Sequence, residues 1–98
     1  MKILAIEKEV SGTSEEQFKR YLKEEAERVW NLYQAGIIRE IYFTKDTHEA
    51  VLILECIDEA EAINILKTLP LVKARLIAFE IKPLAAYDGF KRLFENKS

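Results

Sequence analysis

At 98 residues the chain has room for one hydrophobic core and not for two, so residues 1–98 read as a single domain. Hydrophobic residues make up 49% and charged residues 33%, a balance that excludes a disordered chain, and no apolar run approaches the ~18 residues of a membrane span. Fifteen Lys and Arg stand against seventeen Asp and Glu for a net charge of −2, with the basic residues scattered, which argues against nucleic acid as a partner.

Residues 2–10 are apolar and then alternate before Ser11-Gly12-Thr13, the pattern of a first strand ending in a turn. Ser14 and Gln17 form a capping box, and Phe18, Tyr21, Leu22, Ala26, Val29 and Tyr33 follow at helical spacing up to Gly36, a helix-closing residue; one long helix is predicted. Residues 37–44 are rich in β-branched and aromatic side chains, residues 45–47 are polar, and residues 49–56 are almost unbroken apolar, which predicts a β-hairpin. Asp58 and Glu61 open a second, shorter helix with Ala62, Ile63, Leu66 and Leu69 as its apolar stripe, and Pro70 forbids its continuation. Residues 76–82 form a fourth strand stopped by Pro83, and Phe90, Leu93 and Phe94 mark a short amphipathic C-terminal helix.

The order β-α-β-β-α-β is that of the α+β ferredoxin-like sandwich, with two helices on one face of a four-stranded antiparallel sheet. A sheet with one face in water alternates apolar and polar residues, yet residues 51–54 and 76–79 are apolar on both sides. A second copy of the chain is the simplest cover for the other face, with Phe90, Leu93 and Phe94 reaching onto the neighbour, so a homodimer is expected. The N-terminal residues meet Glu7 and Glu9 before a signal-like core develops, and the single Cys56 rules out an intrachain disulfide; a cytoplasmic location is expected.

Strand parity puts Arg39 on a face with Ile37, Ile41 and Phe43, Glu55 with Val51 and Ile53, and Glu80 with Leu76 and Ala78. A charge on an apolar face needs a partner, so an ion pair from Arg39 to Glu55 or Glu80 is expected. Either this pair is structural, or Arg39 clamps a substrate anion while Glu55 or Glu80 shuttles a proton. His48 opens the third strand beside a polar turn; its imidazole suits acid–base work, and such a position is also ordinarily solvent-facing. Trp30, Tyr33 and Tyr42 either line an aromatic pocket or fill core. Cys56 reads as a small buried hydrophobe. His48 is the sole histidine and Cys56 the sole thiol, short of a redox-metal ligand set, so neither metal nor cofactor is expected.

Gly36-Ile37-Ile38-Arg39, and Leu69-Pro70-Leu71 leading to Phe79-Glu80-Ile81, resemble the muconolactone isomerase-like family of the dimeric α+β barrel superfamily. The resemblance implies a cofactor-independent isomerase, or a related catalyst on a small acidic organic molecule, with a pocket where sheet, helices and dimer partner meet. The alternative on the same scaffold is a non-catalytic small-ligand-binding or interaction module.

Overall fold

The structure, a computed structural model, describes residues 1–95. Its sheet is built from β1 (Lys2–Glu9), β2 (Ile38–Phe43), β3 (Ala50–Glu55) and β4 (Ile77–Leu84) in the order β2-β3-β1-β4, every neighbouring pair antiparallel. The first crossover carries α1 (Glu15–Lys19) and α2 (Leu22–Gln34), and the second carries α3 (Glu59–Leu66) and α4 (Pro70–Lys73). A short 3₁₀ helix, Gly89–Leu93, follows β4. This is the ferredoxin-like α+β sandwich that the pattern of periods predicts.

The helix-facing side of the sheet is set by β1. Ile3 and Ala5 are fully buried there, opposite Leu54 and Leu52 on β3 and opposite Pro83 and Ile81 on β4. Leu32, Ala62, Leu66 and Leu69 close over them from the helices. A smaller cluster of Leu71, Leu76 and Ile77 lies at the other end of the sheet, packed by Phe18 and Tyr21.

Three local features depart from the sequence reading. The first helix is interrupted at Arg20–Tyr21, where the Tyr21 amide donates to the Phe18 carbonyl at 2.9 Å. This i→i−3 bond tightens one turn and brings Phe18 and Tyr21 onto the same cluster. Pro70 does not end the second helix, which caps at Lys67; it begins α4, where its missing N–H is harmless. Nor does Pro83 stop β4, which continues to Leu84 because β4 is an edge strand with one side free of ladder bonds.

A fourth departure bears on the site. Ile38 pairs with Leu54 while Glu40 pairs with Ile53, so Arg39 is an extra residue bulged out of the β2 ladder. The bulge changes parity: Ile38, Ile41 and Phe43 share the helix-facing side, and Arg39 does not belong to that row.

Leu54→Ala, at a fully buried site between β1 and the helices, is expected to cost about 2–5 kcal/mol in urea unfolding. Gly36→Ala is expected to cost about 1 kcal/mol, because Gly36 closes α2 at φ +79° with open space beside it, leaving backbone strain as the penalty.

Candidate functional site

Helix α2 and the helix-facing side of the sheet diverge toward the Glu9 end of β1, leaving an apolar cleft of about 430 Å³. Val29, Leu52, Leu69 and Phe79 form much of its wall, and it carries four titratable groups, Glu7, Glu9, Glu25 and His48, with no Lys or Arg among its lining residues.

Each group has a local reason for its place. Glu7 and Glu9 continue the helix-facing row of Ile3 and Ala5 past the point where the helices cover it. The Glu7 carboxylate accepts from the Ala50 amide at 2.9 Å. Glu25 lies three residues after Leu22 and four before Val29, and so on the apolar stripe of α2. Its carboxylate accepts from the Leu71 amide at 2.9 Å. Burial raises its pKa above the ordinary carboxylate value, the Leu71 bond pulls it partly back, and the charge of Glu7 raises it further. His48 sits in the hairpin loop at φ +54°, its ring stacked on Phe43 at 4.0 Å and 12°. The loop is clasped by Thr47 Oγ1 donating to Glu49 at 2.7 Å and by the Glu49 amide donating to Thr44 Oγ1 at 2.8 Å.

A second, shallower cleft of about 530 Å³ runs on from the first along the α2–β2 seam, sharing Ala26, Val29 and Ile41 with it. Trp30, Tyr33, Arg39, Glu40 and Tyr42 line it. The Trp30 and Tyr33 rings stack at 6.1 Å, and the Tyr42 hydroxyl donates to Glu40 at 2.8 Å, a bond that pushes the phenol pKa up. The Arg39 Nε donates to the Gly36 carbonyl at 2.7 Å, which steadies the guanidinium beside the aromatic rings. Trp30, Tyr33 and Tyr42 are all about half exposed, so they fill no core; they wall a groove.

The structure thus brings Arg39, Trp30, Tyr33 and Tyr42 together and sets His48 in the adjoining cleft. It does not bring Glu55 and Glu80 to either. Both lie on the open face of the sheet, in line with Lys2 and Ile6 of β1, about 13 Å apart along the strand direction. Glu55 pairs with the N-terminal ammonium at 3.0 Å and more weakly with Lys2 at 4.0 Å. The ammonium bond holds its carboxyl below the usual range. Glu80 pairs with Lys82 at 3.7 Å. The expected Arg39 ion pair to either one does not form among the described residues; the Arg39 charge acts on Glu55 only through space, as the smallest of the pulls that lower its pKa.

The groups that sequence reasoning passed over are Glu7, Glu9 and Glu25. The signal for Glu25 was present, a lone carboxylate inside the apolar stripe from Phe18 to Val29. No group of three or more His, Cys, Asp or Glu side chains among the described residues has the geometry of a metal site. No helix among them is long and apolar enough to cross a membrane.

Among protein families, the model described as muconolactone delta-isomerase matches residues 5–89. No curated protein matches the chain. Among solved structures, the 5-chloro-2-hydroxyhydroquinone dehydrochlorinase TftG of Burkholderia phenoliruptrix AC1100, in complex with 2,5-dihydroxybenzoquinone, is similar with a TM-score of 0.65 at 19% identity. The alignment covers 91% of this chain and 98% of that one, and the likeness is one of fold.

A carboxyl whose pKa is raised on folding favours the folded state only below its unfolded pKa, and that contribution is lost as pH rises through the folded value. Above that range the Glu25 carboxylate burdens the fold. Glu25→Gln, which keeps an acceptor for the Leu71 amide, is expected to melt at a higher temperature than the parent chain at neutral pH. The difference should shrink as pH falls toward 4.5, the ordinary value, and be gone well below it, in a series of thermal melts.

Proposed function

The chain belongs to the muconolactone delta-isomerase family, and on that premise we propose that it is a cofactor-independent catalyst of proton transfer on a small acidic organic molecule. The observation that carries the reading is Glu25, a desolvated carboxylate with a raised pKa, held by one backbone amide in an apolar cleft. That is the kind of environment a general base on carbon requires, since partial burial raises the basicity of the carboxylate toward the working pH.

In this reading the substrate carboxylate rests at the Arg39 end of the groove, against the Trp30 and Tyr33 rings. Glu25 and Tyr33 are eight residues apart on α2, about 12 Å along the helix axis, in two clefts that share Ala26, Val29 and Ile41. The Glu25 carboxylate takes a proton from a carbon next to an unsaturated centre. The electron pair moves into the conjugated system, and protonated Glu25 returns the proton two carbons away, so the double bond migrates with no change in oxidation state. His48, held at the cleft by Phe43, faces the charge that develops on the substrate oxygen.

Glu55 and Glu80 stand outside this scheme because both are on the open face, each beside a cation. A second copy of the chain covers that face, on which Leu4 lies opposite Ile53 and Ile6 opposite Val51. The reducing cytoplasm suits the lone, buried Cys56. A ligand-binding module without catalysis uses the same groove and is separated from this reading by the following measurements.

With muconolactone as the first substrate tested, in D₂O, the parent chain is expected to exchange or shift the proton next to the carbonyl as followed by NMR. Glu25→Gln should lower the rate about 10²–10⁴-fold. Arg39→Ala should raise KM about 10- to 100-fold with a smaller change in kcat. Binding of such acids with no exchange in the parent chain would leave the binding-module reading in its place. Native mass spectrometry is expected to show a dimer, converted to monomer by Ile6→Lys; a monomeric parent chain would remove the second copy.

A further inference from the structure

The two clefts that meet along α2 are chemically opposite. The inner one has apolar walls and carries Glu7, Glu9, Glu25 and His48. Ionised carboxylates only accept hydrogen bonds, which leaves His48 as the one side-chain donor among the residues lining it. The backbone donors that reach these carboxylates are already occupied, the Ala50 amide with Oε1 of Glu7 and the Leu71 amide with Oε1 of Glu25. The outer cleft along the α2–β2 seam is the reverse. Arg39, Trp30 and Tyr33 bring N–H and O–H groups to it, and its one carboxylate, Glu40, accepts from Tyr42. Arg39 engages the Gly36 carbonyl through Nε, and no carboxylate of the described residues lies within ion-pair distance of its guanidinium.

A ligand laid along both clefts therefore meets donors at one end and acceptors at the other. Both walls run in the same order. From the seam, α2 passes from Tyr33 through Val29 to Glu25, and β2 passes from Arg39 through Ile41 to Phe43, on which His48 stacks. Ala26, Val29 and Ile41, shared by the two clefts, are apolar and suit a flat hydrocarbon ring between the ends. At the far end Glu7, Glu9 and His48 also line a recess of about 200 Å³, room for a substituent of a few atoms.

We propose that the site takes a hydroxy monoacid, with its carboxylate on Arg39, its ring across Ala26, Val29 and Ile41, and its hydroxyl between His48 and the carboxylates of Glu7 and Glu9. A hydroxyl suits this recess because it works in both directions, donating to a carboxylate oxygen while accepting the His48 N–H. A second carboxylate on the ligand brings like charge against three glutamates in an apolar cleft and is rejected. An ammonium donates as well, but it accepts nothing from His48, and its positive charge beside Glu25 works against the raised pKa of that carboxyl. The identity of this far end rests on the placement of the substrate acid at Arg39 given above.

The test is a calorimetric titration of the full chain at neutral pH with phenylpropanoate and its para-hydroxy, para-methoxy, para-carboxy and para-aminomethyl derivatives. The fluorescence of Trp30, the sole tryptophan, reports occupation of the outer cleft. The para-hydroxy acid is expected to bind about tenfold more tightly than the unsubstituted and para-methoxy acids, and the para-carboxy acid about tenfold more weakly than the unsubstituted one. Glu9→Gln, at an exposed position, and Glu7→Gln, which keeps an acceptor for the Ala50 amide, should each narrow both gaps. Arg39→Ala should weaken every acid and leave their order unchanged. Acids that bind and perturb Trp30 with no preference among para groups overturn the hydroxyl end while leaving the Arg39 anchor standing, as does tightest binding of the para-carboxy or para-aminomethyl compound. If none of the acids binds, the placement at Arg39 fails and takes this proposal with it.

Discussion

The whole arrangement depends on β1 being paired on both sides. Its eight residues hold β3 and β4 antiparallel in register, and because side chains alternate, that one pairing decides which residues of three strands meet the helices and which meet the other face. Ile3 and Ala5 are wholly buried on the helix side, and a one-residue slip would bring Lys2 and Leu4 there instead. The same register carries Glu7 and Glu9 onto the helix side at the end where the helices no longer cover it. Core and cleft are two ends of one row of side chains.

That continuity accounts for the electrostatics. A carboxylate is tolerated at an apolar boundary when a fixed donor meets it, and both Glu7 and Glu25 have one, the amides of Ala50 and Leu71. One backbone donor offsets part of the desolvation of Glu25 and not all of it, so its pKa stays raised. The fold gives up some stability to hold a half-buried carboxylate at this boundary. Glu55 shows the contrast: a half-buried carboxylate with a cation against it, whose pKa is lowered and whose position is structural in character.

The size of the chain bears on the same question. A domain this small buries a modest share of its surface, and here two further apolar surfaces remain, the open sheet face and the segment after β4. The aromatic groove beside Arg39 adds a third on the edge strand β2. Exposed strand edges and aromatic patches of this kind are normally covered, by a partner or by a ligand, and the charges around each patch differ enough to sort one occupant from another.

The sequence by itself determined the element order, the capping box at Ser14 and Gln17, the apolar rows of β1 and β3 and, from them, the ferredoxin-like class and its family, since all of these are local periods or local motifs. It also marked Arg39, Trp30, Tyr33 and Tyr42, whose residue types were informative even though their meeting was not visible. Only the tertiary structure decided which charges share a cavity. The bulge at Arg39 shifts strand parity by one, a change that no alternation count detects because it depends on how β2 pairs with β3. Glu25 enters the cleft through the packing of α2 on Leu71, and Glu55 leaves contention through an ion pair with the far end of the neighbouring strand. Each is a long-range contact, and a one-dimensional pattern holds no record of distance between segments forty or fifty residues apart.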